Sequence, residues 1–124
     1  MEARAISGTL DVLSKPERRC ILYYLREHES ASLEKLVDLV TGWLHAMTGD
    51  TAGPGDDQRI RTSLHHVHLP VLVDRGILTY DEANGNVELE SLSTFTDRIL
   101  DVTLDAETEL PTEIREQVTS AEQE

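Results

Sequence analysis

The stretch from Asp57 to Tyr80, DQRIRTSLHHVHLPVLVDRGILTY, decides how the rest of this chain is read. Taken at 100° per residue, its first part places Ile60, Leu64, Val67 and Val71 on one side of a helix, as a core-facing stripe requires. Gln58, Thr62, His65 and His66 fall on the opposite side, with Arg59 and Arg61 on the flanks. Pro70 removes one helical hydrogen bond, so the spacing predicts a kink or break between His66 and Leu69. Gly76 then ends the helix in a left-handed cap. Ile77, Leu78 and Tyr80 form a strand, and Val87 with Leu89 a second one across a turn at Asn84-Gly85. A helix that runs straight into a hairpin is the order of a recognition helix and its wing.

Upstream, Ile6, Leu10 and Leu13 share one side of a first short helix. Ser14-Lys15-Pro16-Glu17 reads as a capping box opening a second helix from about Lys15 to His28. Its buried side is Ile21, Leu22 and Leu25, with Arg18, Arg19 and Arg26 in water. After a break at residues 29–32, with Ser30 or Ser32 as cap, a third helix carries Leu33, Leu36, Val37, Val40, Trp43 and Leu44 to about Ala46. The glycine-rich link over 48–56 is longer than the three- or four-residue turn between the two helices of a helix-turn-helix. Asp56 or Asp57 is expected to cap the helix that follows.

The chain has 124 residues and a formal net charge of −13, which argues against a phosphate partner if the charge is spread evenly. It is not. Residues 15–75 carry eight bases against nine acids, whereas residues 101–124 carry eight acids against Arg115 alone. Two Lys beside nine Arg, few aromatics and abundant Asp and Glu resemble proteins adapted to molar salt. A single cysteine, Cys20, excludes an intrachain disulfide and fits a reducing compartment. With no signal peptide and no apolar run near the ~20 residues of a membrane span, the expectation is a cytoplasmic protein without a membrane partner.

Ser63 to Val67 followed by Leu72 to Leu78 is similar to the recognition-helix-to-wing segment of the arsenic-repressor-like superfamily. A closer resemblance is to an uncharacterised winged-helix domain family of halophilic archaea. It rests on Leu13-Ser14, Pro16, Arg18-Arg19, Ser63-Leu64, His68-Leu69-Pro70, Leu72, Asp74, Gly76, Tyr80-Asp81, Val87 and Leu89, and it spans roughly residues 6–90. The resemblance implies a winged helix-turn-helix and a DNA-binding role, and it implies no operator, ligand or catalytic residue. A long polar insertion before the recognition helix is also a feature of that family.

The expectation is therefore a mainly α domain with a small β-hairpin, a winged helix-turn-helix over residues 1–104, and an acidic frayed tail over 105–124. Its function is expected to be that of a transcription regulator on double-stranded DNA, with no cofactor and no enzymatic activity. Gln58 and Thr62 are the base-reading candidates, Arg59 and Arg61 can read guanine or hold phosphate, and His65 and His66 can donate to either. Arg18 and Arg19 are backbone-contact candidates. For each of these the plain alternative is a solvated surface charge. Leu92, Phe95, Ile99 and Val102 form a helical stripe after a domain that already looks complete, and with Ile6 and Leu10 they make a candidate homodimer face. The acidic wing, Asp81, Glu82, Glu88 and Glu90, suits a protein partner instead. His65, His66 and His68 with Cys20 and His45 offer metal-ligand types, but two histidines on a face fall short of a closed zinc site, and His68 reads as structural.

Overall fold

The computed structural model describes residues 3–49, 53 and 55–114. The elements run α1 (Ala3–Leu13), α2 (Pro16–His28), β1 (Ser30–Ser32), α3 (Leu33–Thr48), α4 (Asp56–Ser63), a π-helical turn (Leu64–His68), α5 (Leu69–Asp74), β2 (Leu78–Asp81), β3 (Asn86–Leu89) and α6 (Thr94–Ala106). From α2 to β3 this is the order of a winged helix-turn-helix, with α1 before it and α6 after. The sheet is antiparallel, in the order β1-β3-β2.

β1 is a strand where the sequence suggested only a break. Ser30, Ala31 and Ser32 lie opposite Glu88, Val87 and Asn86, so a hairpin becomes a three-stranded sheet. Three small residues, of which only Ala31 turns to the core, carry little signal of their own, and the backbone of β3 recruits them. β2 and β3 pair from Leu78↔Leu89 to Asp81↔Asn86, which leaves a four-residue loop, 82–85. Gly85 takes φ 67° at its end, and the Asp81 carboxylate accepts from the Asn84 amide to hold it. The turn is thus longer than the tight Asn84-Gly85 connection expected.

Two caps also differ from expectation. Ser14 turns back and donates to Asp11 O at 2.6 Å, so it closes α1 and leaves α2 without a side-chain cap. Glu17 is freed to face His68. Ser32 does cap α3, accepting from the Lys35 N–H at 3.0 Å. Gly49 closes α3 at φ 77° and Gly55 opens α4 at φ 85°. Asp56 caps nothing, and its carboxylate instead takes the Gly53 N–H at 2.7 Å.

The π-helical turn is how the chain accommodates Pro70. The Leu69 N–H donates to Leu64 O, five residues back, so the ladder slips by one just before the residue that has no N–H to give. That extra residue rotates everything beyond it. Leu64 is fully buried, but Val67 swings out to 47% exposure, and His68, Leu69 and Leu72 take the core positions. Of the expected stripe, Ile60, Leu64 and Val71 pack on the core and Val67 does not, because a constant 100° step fails at the slip.

The core gathers α2 (Cys20, Ile21, Leu22, Tyr23, Leu25) against α3 (Leu36, Val37, Val40, Trp43), closed by Leu78, Val87 and Leu100. It extends past α6. The Glu107 carboxylate takes Arg19 Nε at 3.1 Å and Nη2 at 2.9 Å, with the Tyr23 hydroxyl beside it. Trp43 Nε1 donates to Thr108 O at 3.1 Å, and Leu110 and Ile114 are buried. The chain is therefore packed through Ile114 rather than frayed from residue 105. The rest of the expected tail, 115–124, lies outside the described residues, as do 50–52 and 54 of the link. Among the described residues no helix is long and apolar enough to cross a membrane.

Candidate nucleic-acid interface

The outer side of α4 and the π turn is solvent-facing at four of its six expected positions. Gln58, Arg59, Thr62 and His66 are exposed, and Arg61 and His65 are half-buried. Their helix is held from behind by Ile60, Leu64, His68, Leu69 and Leu72, all of which pack on the core. A rigid inner side and a free outer side of one helix are what groove entry requires.

Each cation on that side has an intramolecular partner. The Arg59 guanidinium, 78% exposed, reaches back to Asp56, which His45 Nε2 also meets at 3.1 Å. Arg61 forks onto Glu34 at the start of α3, with Nε 2.8 Å from one carboxylate oxygen and Nη2 on the other, and its Nη1 donates to Gln58 Oε1 at 2.8 Å. Arg61 holds the Glu34 carboxyl below the usual range, and the Arg61 pKa is raised in turn. Sequence reasoning missed Glu34, which lies 27 residues from its partner and has no local signature.

His65 is tied to the wing. Its Nδ1 shares a 2.9 Å hydrogen bond with the Tyr80 hydroxyl, and its ring meets His66 edge-on at 4.7 Å. Burial, then the neighbouring Glu82, pushes the Tyr80 phenol up. The sequence places Tyr80 in the wing strand but gives no sign of this contact, which fixes the wing against the helix. Around it Asp81, Glu82, Glu88 and Glu90 are all exposed. The hydrogen bonds from Asn84 hold the Asp81 carboxyl low.

The two expected phosphate contacts on α2 are consumed by the fold. Arg18 is only 8% exposed, and its Nε donates to His68 Nδ1 at 3.1 Å. Arg19 holds Glu107 and also donates to Leu13 O at 2.8 Å. Neither side chain is free to meet DNA. His68, only 5% exposed, takes Arg18 on one nitrogen and lies 3.5 Å from Glu17 on the other, as a structural histidine does. Among the described residues no group of three or more His, Cys, Asp or Glu could hold a metal.

The candidate homodimer residues divide. Leu92 and Ile99 are partly buried against the chain's own core, where the inner side of α6 is Thr96, Leu100 and Leu104. Ile6 and Phe95 are half-buried, and Leu10 and Val102 are exposed, at 47% and 68%.

A family model described as a domain of unknown function (DUF7344) matches residues 10–88, the end of α1 through β3. No curated protein and no solved structure matches.

Proposed function

This chain belongs to the DUF7344 family of domains of unknown function, and from its geometry we propose that it is a DNA-binding transcription regulator. The observation that carries the proposal is the exposed quartet Gln58, Arg59, Thr62 and His66 on the outer side of a helix whose inner side is locked into the core. Gln58 and Thr62 read base edges, Arg59 and Arg61 hold phosphate or guanine, and the wing lies alongside. The resemblance of this segment to arsenic-repressor-like regulators and to a winged-helix family of halophilic archaea supports the same reading. A second copy, docked through Leu10, Phe95 and Val102, supplies the other half-site.

The ion pairs of Arg59 and Arg61 do not oppose this. Exposed pairs gain little in water, because both charges stay hydrated and screened, so either guanidinium can be turned onto a phosphate at small cost. With Arg18 and Arg19 committed elsewhere, about two phosphate contacts per protomer remain, and the affinity of the dimer should fall with salt at a slope of about −3.6, at about −0.9 per phosphate. Base contacts and shape fit must supply the rest.

A second reading rests on the wing, whose four exposed carboxylates repel a phosphate backbone and fit a basic protein partner. Fluorescence anisotropy with promoter fragments in 2 M KCl, roughly the regime where the Debye length is below ~3 Å, separates the two. Binding by the wild type that is lost in Arg59→Glu/Arg61→Glu supports DNA recognition. Negligible binding by both supports the protein partner.

A further inference from the structure

Arg75, which closes α5, lies over Gly8 of α1, where a Cβ would stand 2.7 Å from its Nη1. Among the described residues it forms no ion pair. The two arginines of α4, by contrast, each hold a carboxylate. Arg75 forms one wall of a cavity of about 340 Å³, at the small end of the roughly 300–1,000 Å³ of small-ligand pockets.

The other walls divide by chemistry. Val12 and Leu13 of α1 meet Ile77 and Leu92 as an aliphatic surface, and Thr9, Ser91, Ser93 and Thr96 complete the lining, the Ser93 hydroxyl donating to that of Thr96 at the cap of α6. No carboxylate lines it. A guanidinium with hydroxyls beside it and an aliphatic floor is complementary to a molecule with a carboxylate at one end and a short hydrocarbon body at the other. Divalent cations and polyamines have nothing to bind there.

We propose that this cavity is a binding site for a small aliphatic monocarboxylate, its carboxylate on Arg75 and its body against Val12, Leu13, Ile77 and Leu92. The site lies where the recognition helix passes into the wing, between α1 and the start of α6. A ligand there bridges α1 to the segment Arg75–Ile77 and biases the angle at which α4, the π turn and α5 are presented. Binding stands on the cavity alone, and only this coupling rests on the DNA-binding reading.

The test is an NMR titration of the full chain, without DNA, using hexanoate as probe, with hexanol for the body without the charge and inorganic phosphate for the charge without the body. Saturable shifts at the amides of Thr9, Ile77, Leu92 and Thr96 are expected with hexanoate. Hexanol and phosphate should bind at least tenfold more weakly, and Arg75→Gln should weaken hexanoate at least tenfold while leaving the spectrum otherwise folded. Gly8→Ala, which pushes the guanidinium aside without opening the core, should also weaken it. The proposal is overturned if hexanoate moves none of these amides, if hexanol matches it, or if Arg75→Gln binds it as the wild type does.

Discussion

Arg18 and His68, fifty residues apart in the chain, are joined by a 3.1 Å hydrogen bond from the guanidinium Nε to the imidazole Nδ1. The network thereby assigns the His68 proton to Nε2, on the side of Glu17. This contact fastens α2 to the π turn that follows α4. Replacing Arg18 with Ala removes a charged partner of a buried imidazole, for which about 2–3 kcal/mol is expected. Urea denaturation of Arg18→Ala should show that loss. An unchanged midpoint together with weakened DNA binding would return Arg18 to the role of a surface phosphate contact.

Glu17 gives the same network an acid limb. The hydrogen bond from His68 holds its carboxyl below the ordinary value, against the opposing effect of partial burial. A group with a depressed folded pKa stabilises the fold above its unfolded value and loses that contribution as pH falls through the folded one. The Glu17 contribution should therefore be full and constant above about pH 5 and decline below about pH 4.5, the ordinary glutamate value. In Glu17→Gln that part of the decline should vanish from a series of denaturation midpoints between pH 6 and pH 3, roughly the range in which carboxylates titrate. Glu34 is also held low, but it sits in open solvent and contributes little.

The slipped ladder before Pro70 makes a prediction that an unbroken α-helix reverses. Leu64→Ala should cost about 2–5 kcal/mol, as buried leucine truncations do. Val67→Ala should stay within about 0.5 kcal/mol, since its side chain points to water. Comparable losses at both positions, measured by thermal or urea unfolding, would mean that the helix runs through without the slip.

These positions also mark where the sequence was legible. Gly76 and the alternation from Leu78 to Leu89 announced the wing because each signal is local. Pro70 announced a disturbance at the right place, but whether a helix breaks, kinks or slips there is decided by which side chains the core accepts, and His68 wins that place through Arg18 and Glu17. Arg18 and Arg19 read as a basic pair on a helix. Their partners lie 50 and 88 residues away, and no local pattern foretells them. The same holds for Leu110 and Ile114, whose acidic, proline-containing surroundings resemble a loose end although both are buried. The outer side of α4 was legible as far as exposure, and the Glu34 and Asp56 that occupy its arginines were not.

Glu34 competes with DNA for Arg61 if the proposed interface is right. Removing its charge in Glu34→Gln frees the guanidinium, so DNA affinity should rise severalfold while the fold is unaffected. Arg61→Ala should lower it, and the double variant should resemble Arg61→Ala alone. Anisotropy titrations of the four proteins at fixed KCl check the cycle. Additive effects would mean that Glu34 does not withhold Arg61 from the DNA.

The most direct test of the proposed role is selection of bound fragments from a genomic DNA library in molar KCl, where non-specific attraction is screened and base contacts must carry the binding. Enrichment of a short half-site repeat, abolished by Gln58→Ala/Thr62→Ala, is the predicted result. Fragments recovered at their input frequencies, from a protein whose spectrum shows it folded, would contradict DNA recognition by this helix.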